Sequence, residues 1–197
     1  MKKILFLLCI TLSGFASSQK IDQEIIKDND ATKVNNYTNA LSWAAQNSKE
    51  LRIKNILVSD SNLGVVSLNI NATLGSGIGV YYNTEFNLKI EVKDNKYKIS
   101  YLSPIIMISM KNDDYSQTTM RGLKLIRERL KLIESLSMDK FDSKLEWNYK
   151  DVILAKDDIA LDETKKKFLN DILDRMMELQ TNLNDSIFEA MLKNNEW

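Results

Sequence analysis

Apolar and polar residues alternate most clearly between residues 86 and 101. Every second side chain is apolar over 86–92 and again over 97–101, a period of two that is typical of a strand with one buried face. Asp94 and Asn95 lie between the two runs and tolerate the left-handed backbone of a two-residue loop. This loop predicts a hairpin whose paired residues match in polarity: Lys93 with Lys96, Val92 with Tyr97, Ile90 with Ile99 and Leu88 with Tyr101.

Two further strands are expected before the hairpin. Apolar residues over 51–59 indicate the first, and the polar segment 60–64 indicates the turn behind it. The second is expected over 65–74, with five inward side chains: Val66, Leu68, Ile70, Ala72 and Leu74. A glycine-rich link over 75–79 then leads back into strand at Thr84. Together with the hairpin, these elements predict a four-stranded antiparallel sheet.

The pattern changes after the hairpin. Pro104 has no N–H for a strand ladder, so it predicts a bulge or an edge, and residues 105–110 continue as strand or descend into the next helix. After a polar turn at 111–116, a helix is indicated by a stripe of Leu123, Ile126, Leu130 and Ile133. Residues 138–160 are expected to be irregular and to contain three aromatic packing anchors: Phe141, Trp147 and Tyr149.

Two more amphipathic helices are expected. The first begins at Asn35 or Asn36, both good helix caps, and its stripe consists of Tyr37, Ala40, Leu41, Ala44, Ala45 and Ser48. The last spans about 162–194 and has a stripe of Phe168, Ile172, Met176, Leu179, Leu183, Ile187 and Met191. Leu169, Leu173 and Leu192 widen that stripe enough to face a sheet or a partner helix.

The first eighteen residues have the features of a secretory signal. Residues 2–3 are lysines, residues 4–12 form an apolar run, and residues 16–18 form a small-residue cleavage site. The apolar run is shorter than the ~20 residues that span a bilayer. We therefore expect cleavage after Ser18, a periplasmic or secreted product, and no transmembrane segment in the mature chain. A lipoprotein modified at Cys9 is disfavoured, because large apolar residues precede that cysteine.

Composition excludes several functional classes. The chain has no histidine, and its one cysteine lies in the segment expected to be removed. The mature protein would therefore lack the groups for Ser-His-Asp or Cys-His catalysis, disulfides, Cys/His zinc sites and haem ligation by histidine. It would carry 25 basic against 27 acidic residues, which gives no net positive field for a nucleic-acid backbone. We expect no catalytic residues, no cofactor, no metal site and no nucleic-acid partner.

Glycine-rich and acidic segments are candidate phosphate and cation sites. A phosphate loop leads directly into a helix, whereas the link at 75–79 is expected to lead into a strand. Four polar clusters could supply oxygen ligands to a hard cation or an acid–base pair to a hydrolase: Asp28-Asn29-Asp30, Asp60-Ser61-Asn62, Asp113-Asp114 and Asp157-Asp158. None has calcium-loop spacing, so roles in turns and caps are the favoured interpretation.

Two sets of side chains could form binding surfaces. A lysine stripe on the outer sheet face contains Lys89, Lys93, Lys96 and Lys98, and it is interrupted by Glu85, Glu91 and Asp94. A solvated face explains this stripe better than DNA binding does. Adaptable apolar residues could line a ligand cavity between sheet and helices, although core packing is favoured: Met107, Met110, Met176, Met177, Met191, Tyr81, Tyr82 and Tyr101.

These patterns predict a division of the chain into four segments. The signal at 1–18 is followed by a polar tether at 19–34, in which Ile21, Ile25 and Ile26 could make a short edge strand. An α+β domain over 35–110 has its sheet backed by the N-terminal helix. Residues 111–197 form a helical C-terminal extension with two helices, packed on or beside the sheet.

Residues 35–110 also resemble a known family. A helix with Tyr37, Ala40 and Trp43 leads into a strand, a turn and a Gly-Val strand, and the hairpin Leu-Lys-Ile-Glu-Val-Lys-Asp-Asn-Lys-Tyr-Lys-Ile over 88–99 follows. This order resembles the exported bacterial domain of unknown function with a TBP-like fold. The resemblance implies a curved antiparallel sheet backed by helices, as in one half of the TATA-binding protein, and it implies no activity.

The sequence supports two functional hypotheses. The first is a non-enzymatic module of the cell envelope that binds an unknown protein or envelope component through the sheet surface or the terminal helices. If the last helix is not fully covered, its second apolar edge would be a binding face through which the protein could also form a homodimer. The alternative is a carrier of a small apolar ligand held between sheet and helices, and it predicts a cavity lined by methionine and tyrosine.

Overall fold

The computed structural model describes residues 24–49, 51–77, 80–110, 120–140 and 146–192. The expected signal, Cys9, Asp113-Asp114 and Phe141 lie outside these ranges. Within them the elements are β1 Glu24–Asp28, α1 Lys33–Asn47, β2 Ile53–Asp60, β3 Val65–Gly77, β4 Val80–Lys93, β5 Lys96–Met110, α2 Met120–Lys140, β6 Glu146–Asn148, α3 Tyr149–Lys156 and α4 Glu163–Met191. No helix in the described ranges is long and apolar enough to cross a membrane.

The strands form one antiparallel sheet in the order β1-β5-β4-β3-β2, and β6 also pairs with β5. The described residues thus make an α+β fold as expected, but with six strands rather than four. The two additional strands, β1 and β6, have five and three residues. Such short segments show too few alternations for a period to be recognised. β1 contains Ile25 and Ile26, which were the basis for expecting an edge strand in the polar tether.

The central hairpin has the predicted loop and register. Lys93 pairs with Lys96, Val92 with Tyr97, Ile90 with Ile99 and Leu88 with Tyr101. Asn95 has a φ of 60°, the left-handed conformation that asparagine tolerates better than most residues.

The strands around the glycine-rich link are longer than expected. β3 continues to Gly77 and β4 begins at Val80, not at Thr84. Gly75 has a φ of 154° and lies at a register shift after Thr73. Glycine therefore forms an irregularity within the ladder rather than ending the strand.

A bulge interrupts β5 at Pro104, as its missing N–H predicts. Asn87 pairs with Leu102, but Glu85 pairs with Ile105. Between these two pairs β5 therefore has one residue more than β4. Ser103 takes up the irregularity with a φ of 51°, and the Thr84 hydroxyl donates to the Ile105 carbonyl at 3.0 Å. Beyond the bulge the chain continues as strand to residue 110.

Helix α1 begins earlier than Asn35 or Asn36. Its N-cap is Thr32, whose hydroxyl accepts a hydrogen bond from the Asn35 N–H at 3.3 Å. Asn36 is fully buried, and its amide donates to the Asn29 side chain at 3.2 Å and to the Lys93 carbonyl at 3.1 Å. The asparagine that resembled a cap therefore connects the start of α1 to the hairpin turn.

In the described ranges three helices follow the hairpin, not two. Residues 138–160, expected to be irregular, contain β6 and α3, and the side chain of Asn148 caps α3 by accepting from the Lys150 N–H at 3.0 Å. Trp147 and Tyr149 are both buried, as expected of packing anchors. Trp147 meets Phe168 of α4 edge to face, with ring centroids 6.1 Å apart.

Helix α4 links two buried clusters on the same side of the sheet. Its N-terminal half packs with α2, α3 and one end of the sheet, including Ile106 and Trp147. Its C-terminal half packs with α1 over the sheet centre, where Ile187 joins Leu88 and Trp43. Leu179 contacts both clusters, so this one helix closes most of the inner face.

Candidate functional site

The side of the sheet opposite the helices is uncovered in the described part of the chain. Along β4 the even-numbered residues from Val80 to Val92 are buried, whereas the odd-numbered ones before Lys93 are half-buried. We call the outward side chains of the three central strands the open face. They include Ser67, Asn69, Asn71, Thr73, Tyr81, Asn83, Glu85, Asn87, Lys89, Glu91, Lys98, Leu102, Ile105 and Met107. None belongs to either buried cluster.

Ion pairs occupy the end of the open face near the hairpin turn. Glu91 accepts from Lys98 at 2.8 Å and from Lys89 at 3.0 Å, and Lys98 also lies 3.5 Å from Glu24 of β1. The hydrogen bonds from Lys98 and then Lys89 lower the pKa of Glu91. Two of the four lysines in the expected stripe are therefore neutralised locally, which leaves no continuous positive strip.

Uncharged amides occupy the middle of the open face. The Asn69 amide donates to Glu85 Oε1 at 3.2 Å and to Asn87 Oδ1 at 3.1 Å. Asn71 and Asn83 lie on the same face further along β3 and β4. Amides have both donors and acceptors, so this region can form hydrogen bonds with either kind of polar group on a partner.

Apolar side chains border the amides on β5. Leu102 pairs with Asn87 and Ile105 with Glu85, and these two side chains are 42% and 37% exposed. The bulge at Pro104 produces this arrangement, because odd-numbered residues of β5 face inward before it and even-numbered residues after it. Pro104 predicts the bulge from sequence, but nothing in the sequence pattern predicts the resulting exposure of Ile105.

The expected ligand cavity between sheet and helices is very small. Its lining includes Tyr101, Tyr149 and Met176, which agrees with the residue types expected, but its volume is about 20 Å³. That volume suits about one water molecule. Burial raises the pKa of both tyrosines, and the Tyr101 hydroxyl donates to Asn184 Oδ1 at 2.7 Å.

The described acidic clusters have local structural roles. Asp60 Oδ1 accepts from the Leu63 N–H at 2.9 Å, and Asp158 Oδ1 accepts from the Ala160 N–H at 2.8 Å, as expected of turn residues. Asn29 pairs with Asn36. Within the described ranges no three acidic side chains come together as a metal ligand set, and the glycine-rich link is followed directly by β4.

The apolar stripe of the terminal helix is used inside the protein. Its residues are buried or pack against the buried clusters, and Leu192, one of the residues expected to widen it, is 71% exposed. Trp43 fixes the helix from the α1 side, since its Nε1–H donates to Ser186 Oγ at 2.9 Å. This packing favours the open face over α4 as a surface for partners.

Two solved structures are similar to this chain. One is a TBP-like protein from Parabacteroides distasonis, with a TM-score of 0.53 and 18% identity over 85% of this chain and 90% of that one. Another is a DUF4468 family protein from Bacteroides ovatus, with a TM-score of 0.56 and 10% identity over 93% of this chain and 95% of that one. No protein-family model and no curated protein matches the chain.

These similarities define the class of fold. The chain has the TBP-like α+β fold, which confirms the resemblance found in the hairpin and its flanking elements. The similarity covers most of the chain rather than residues 35–110 alone. Neither name states an activity.

Proposed function

We propose that this protein is a non-enzymatic, exported binding module of the cell envelope, and that its open face binds a protein or another envelope component. One observation carries the proposal: Leu102, beside Asn87, and Ile105, beside Glu85, are exposed on a sheet face that no described helix covers and that is rich in amides. Apolar contact area next to polar groups that form hydrogen bonds is typical of protein interfaces.

The chemistry of the open face supports binding rather than catalysis. Its charged residues include Glu91, whose carboxylate is held by two lysines, and Glu85, which accepts from the Asn69 amide. A general acid or base needs a pKa near the working pH, whereas the pKa of Glu91 is lowered. The export part of the proposal depends on the signal-like features of residues 1–18.

The carrier hypothesis has weaker support. A ligand larger than water would have to separate Tyr101 from Met176 and α4, because the cavity between them holds only about 20 Å³. Such an opening would expose core side chains that are now buried. The open face needs no rearrangement before it meets a partner.

Native mass spectrometry on the chain from Gln19 onward, purified gently from the producing cell, tests the proposal. We expect a bound macromolecule that is lost in Ile105→Lys and retained in Leu154→Lys, because Leu154 is also apolar and is more exposed than Ile105 but lies on α3. Equal loss in both variants would contradict binding through the open face. A small-molecule adduct in all three proteins would favour the carrier instead.

A further inference from the structure

Strand β2 forms an apolar edge of the sheet. It pairs with β3 on one side, and its other side has no partner among the described strands. Three consecutive residues on it are exposed: Ile56 by 56%, Leu57 by 48% and Val58 by 46%. Proteins usually protect such an edge with charge, but the five residues between Lys54 and Asp60 carry none. The opposite edge strand, β1, follows that rule with Glu24, Lys27 and Asp28 among its five residues.

A register shift between Ile56 and Val58 spreads these apolar side chains around the edge of β2. Ile56 pairs with the inward residue Leu68, and Val58 pairs with the outward residue Ser67, which leaves Leu57 between them without a partner on β3. The three side chains therefore form a ridge along the edge rather than one face. We name residues 56–58 the edge ridge.

The charges on either side of the edge ridge are opposite in sign. Arg52, just before β2, is exposed and makes no ion pair within the described structure. Asp60 ends β2, and one of its oxygens accepts from Leu63 N–H, which leaves the carboxylate able to accept further bonds. The two residues lie equally far along the chain from Ile56, so the strand is positive at its start and negative at its end.

We propose that two copies of this chain associate through their edge ridges, antiparallel and related by a two-fold axis near Ile56. This arrangement brings Arg52 of each copy towards Asp60 of the other, and it packs the two apolar ridges against each other. A parallel arrangement would place like charges together. A closed, self-complementary contact of this kind is the commonest form of oligomer, and it leaves both open faces free.

Sedimentation analysis of the chain from Gln19 onward over a range of concentrations tests the association. We expect a reversible dimer that Leu57→Lys converts to a monomer, and this substitution is at an exposed position that should leave the fold intact. Leu192→Lys on the terminal helix should leave the dimer unchanged. A wild-type monomer at every concentration, or a dimer lost through Leu192→Lys but not Leu57→Lys, would overturn the proposal.

Charge reversal tests the antiparallel arrangement. Arg52→Glu and Asp60→Lys should each weaken self-association by about tenfold or more. The two-fold axis repeats the contact between residues 52 and 60, so each substitution creates two contacts between like charges. An equal mixture of the two variants should restore the dimer, since both contacts then join opposite charges. Circular dichroism of each variant checks that the fold is retained. Failure of the mixture to associate would contradict the antiparallel contact.

Discussion

Ile187 is the residue at which the packing of α4 on the sheet can be measured most clearly. It is fully buried in the cluster over the sheet centre, together with Leu183 and Met191 of the same helix. Replacing it with alanine removes apolar contacts and leaves a cavity, which typically costs 2–5 kcal/mol. Because the site lies between rigid sheet and helix, we expect Ile187→Ala to lower the free energy of unfolding by about 3 kcal/mol.

The matched control is Leu192→Ala, five residues further along. Leu192 is 71% exposed, so its loss should change stability by less than about 0.5 kcal/mol. Urea denaturation followed by circular dichroism measures both, and the slope against urea should be unchanged. In a chain of this size a loss of 3 kcal/mol corresponds to a fall in Tm of roughly 6–12 °C. Equal effects at the two positions would refute the packing of α4 described above.

Three other predictions concern single side chains. Asn36→Ala should cost about 2 kcal/mol in urea denaturation, because it removes a fully buried amide that donates to the Lys93 carbonyl, whereas the exposed Gln46→Ala should cost little. Burial raises the pKa of Tyr97 to about 12. The unfolded chain would therefore lose the Tyr97 hydroxyl proton at a lower pH than the folded protein, so the free energy of unfolding should fall as the pH rises from 10 towards 12. A Tm that does not fall over this range would contradict this prediction. Asn95→Gly should be tolerated at its φ of 60°, while Asn95→Val should cost about 1–2 kcal/mol, as thermal melting can show.

Agreement between local signals made the hairpin predictable from sequence. The turn residues Asp94 and Asn95 and the period-two pattern specify one register independently, and the structure has that register. The start of α1 was not predictable in the same way. Thr32 and Asn36 are both good caps by residue type, and only the folded chain shows that Asn36 turns inward to the Lys93 carbonyl.

The main features of the open face depend on tertiary structure. Pro104 indicated a bulge, but the resulting exposure of Ile105 depends on how many residues the bulge adds. The terminal helix has a wide apolar stripe that suits either a sheet or a partner. Its packing against Trp43 and the sheet shows that the stripe is used internally, which makes the open face the better candidate for partners.

Site-specific photo-crosslinking in the producing cell tests the central claim most directly. A photoreactive amino acid placed at Ile105 lies on the open face, and the same residue placed at Leu154 lies on the exposed side of α3. We predict a discrete crosslinked product from position 105 and none from position 154. Crosslinking from position 154 alone, or no product from position 105 at native abundance, would contradict binding through the open face.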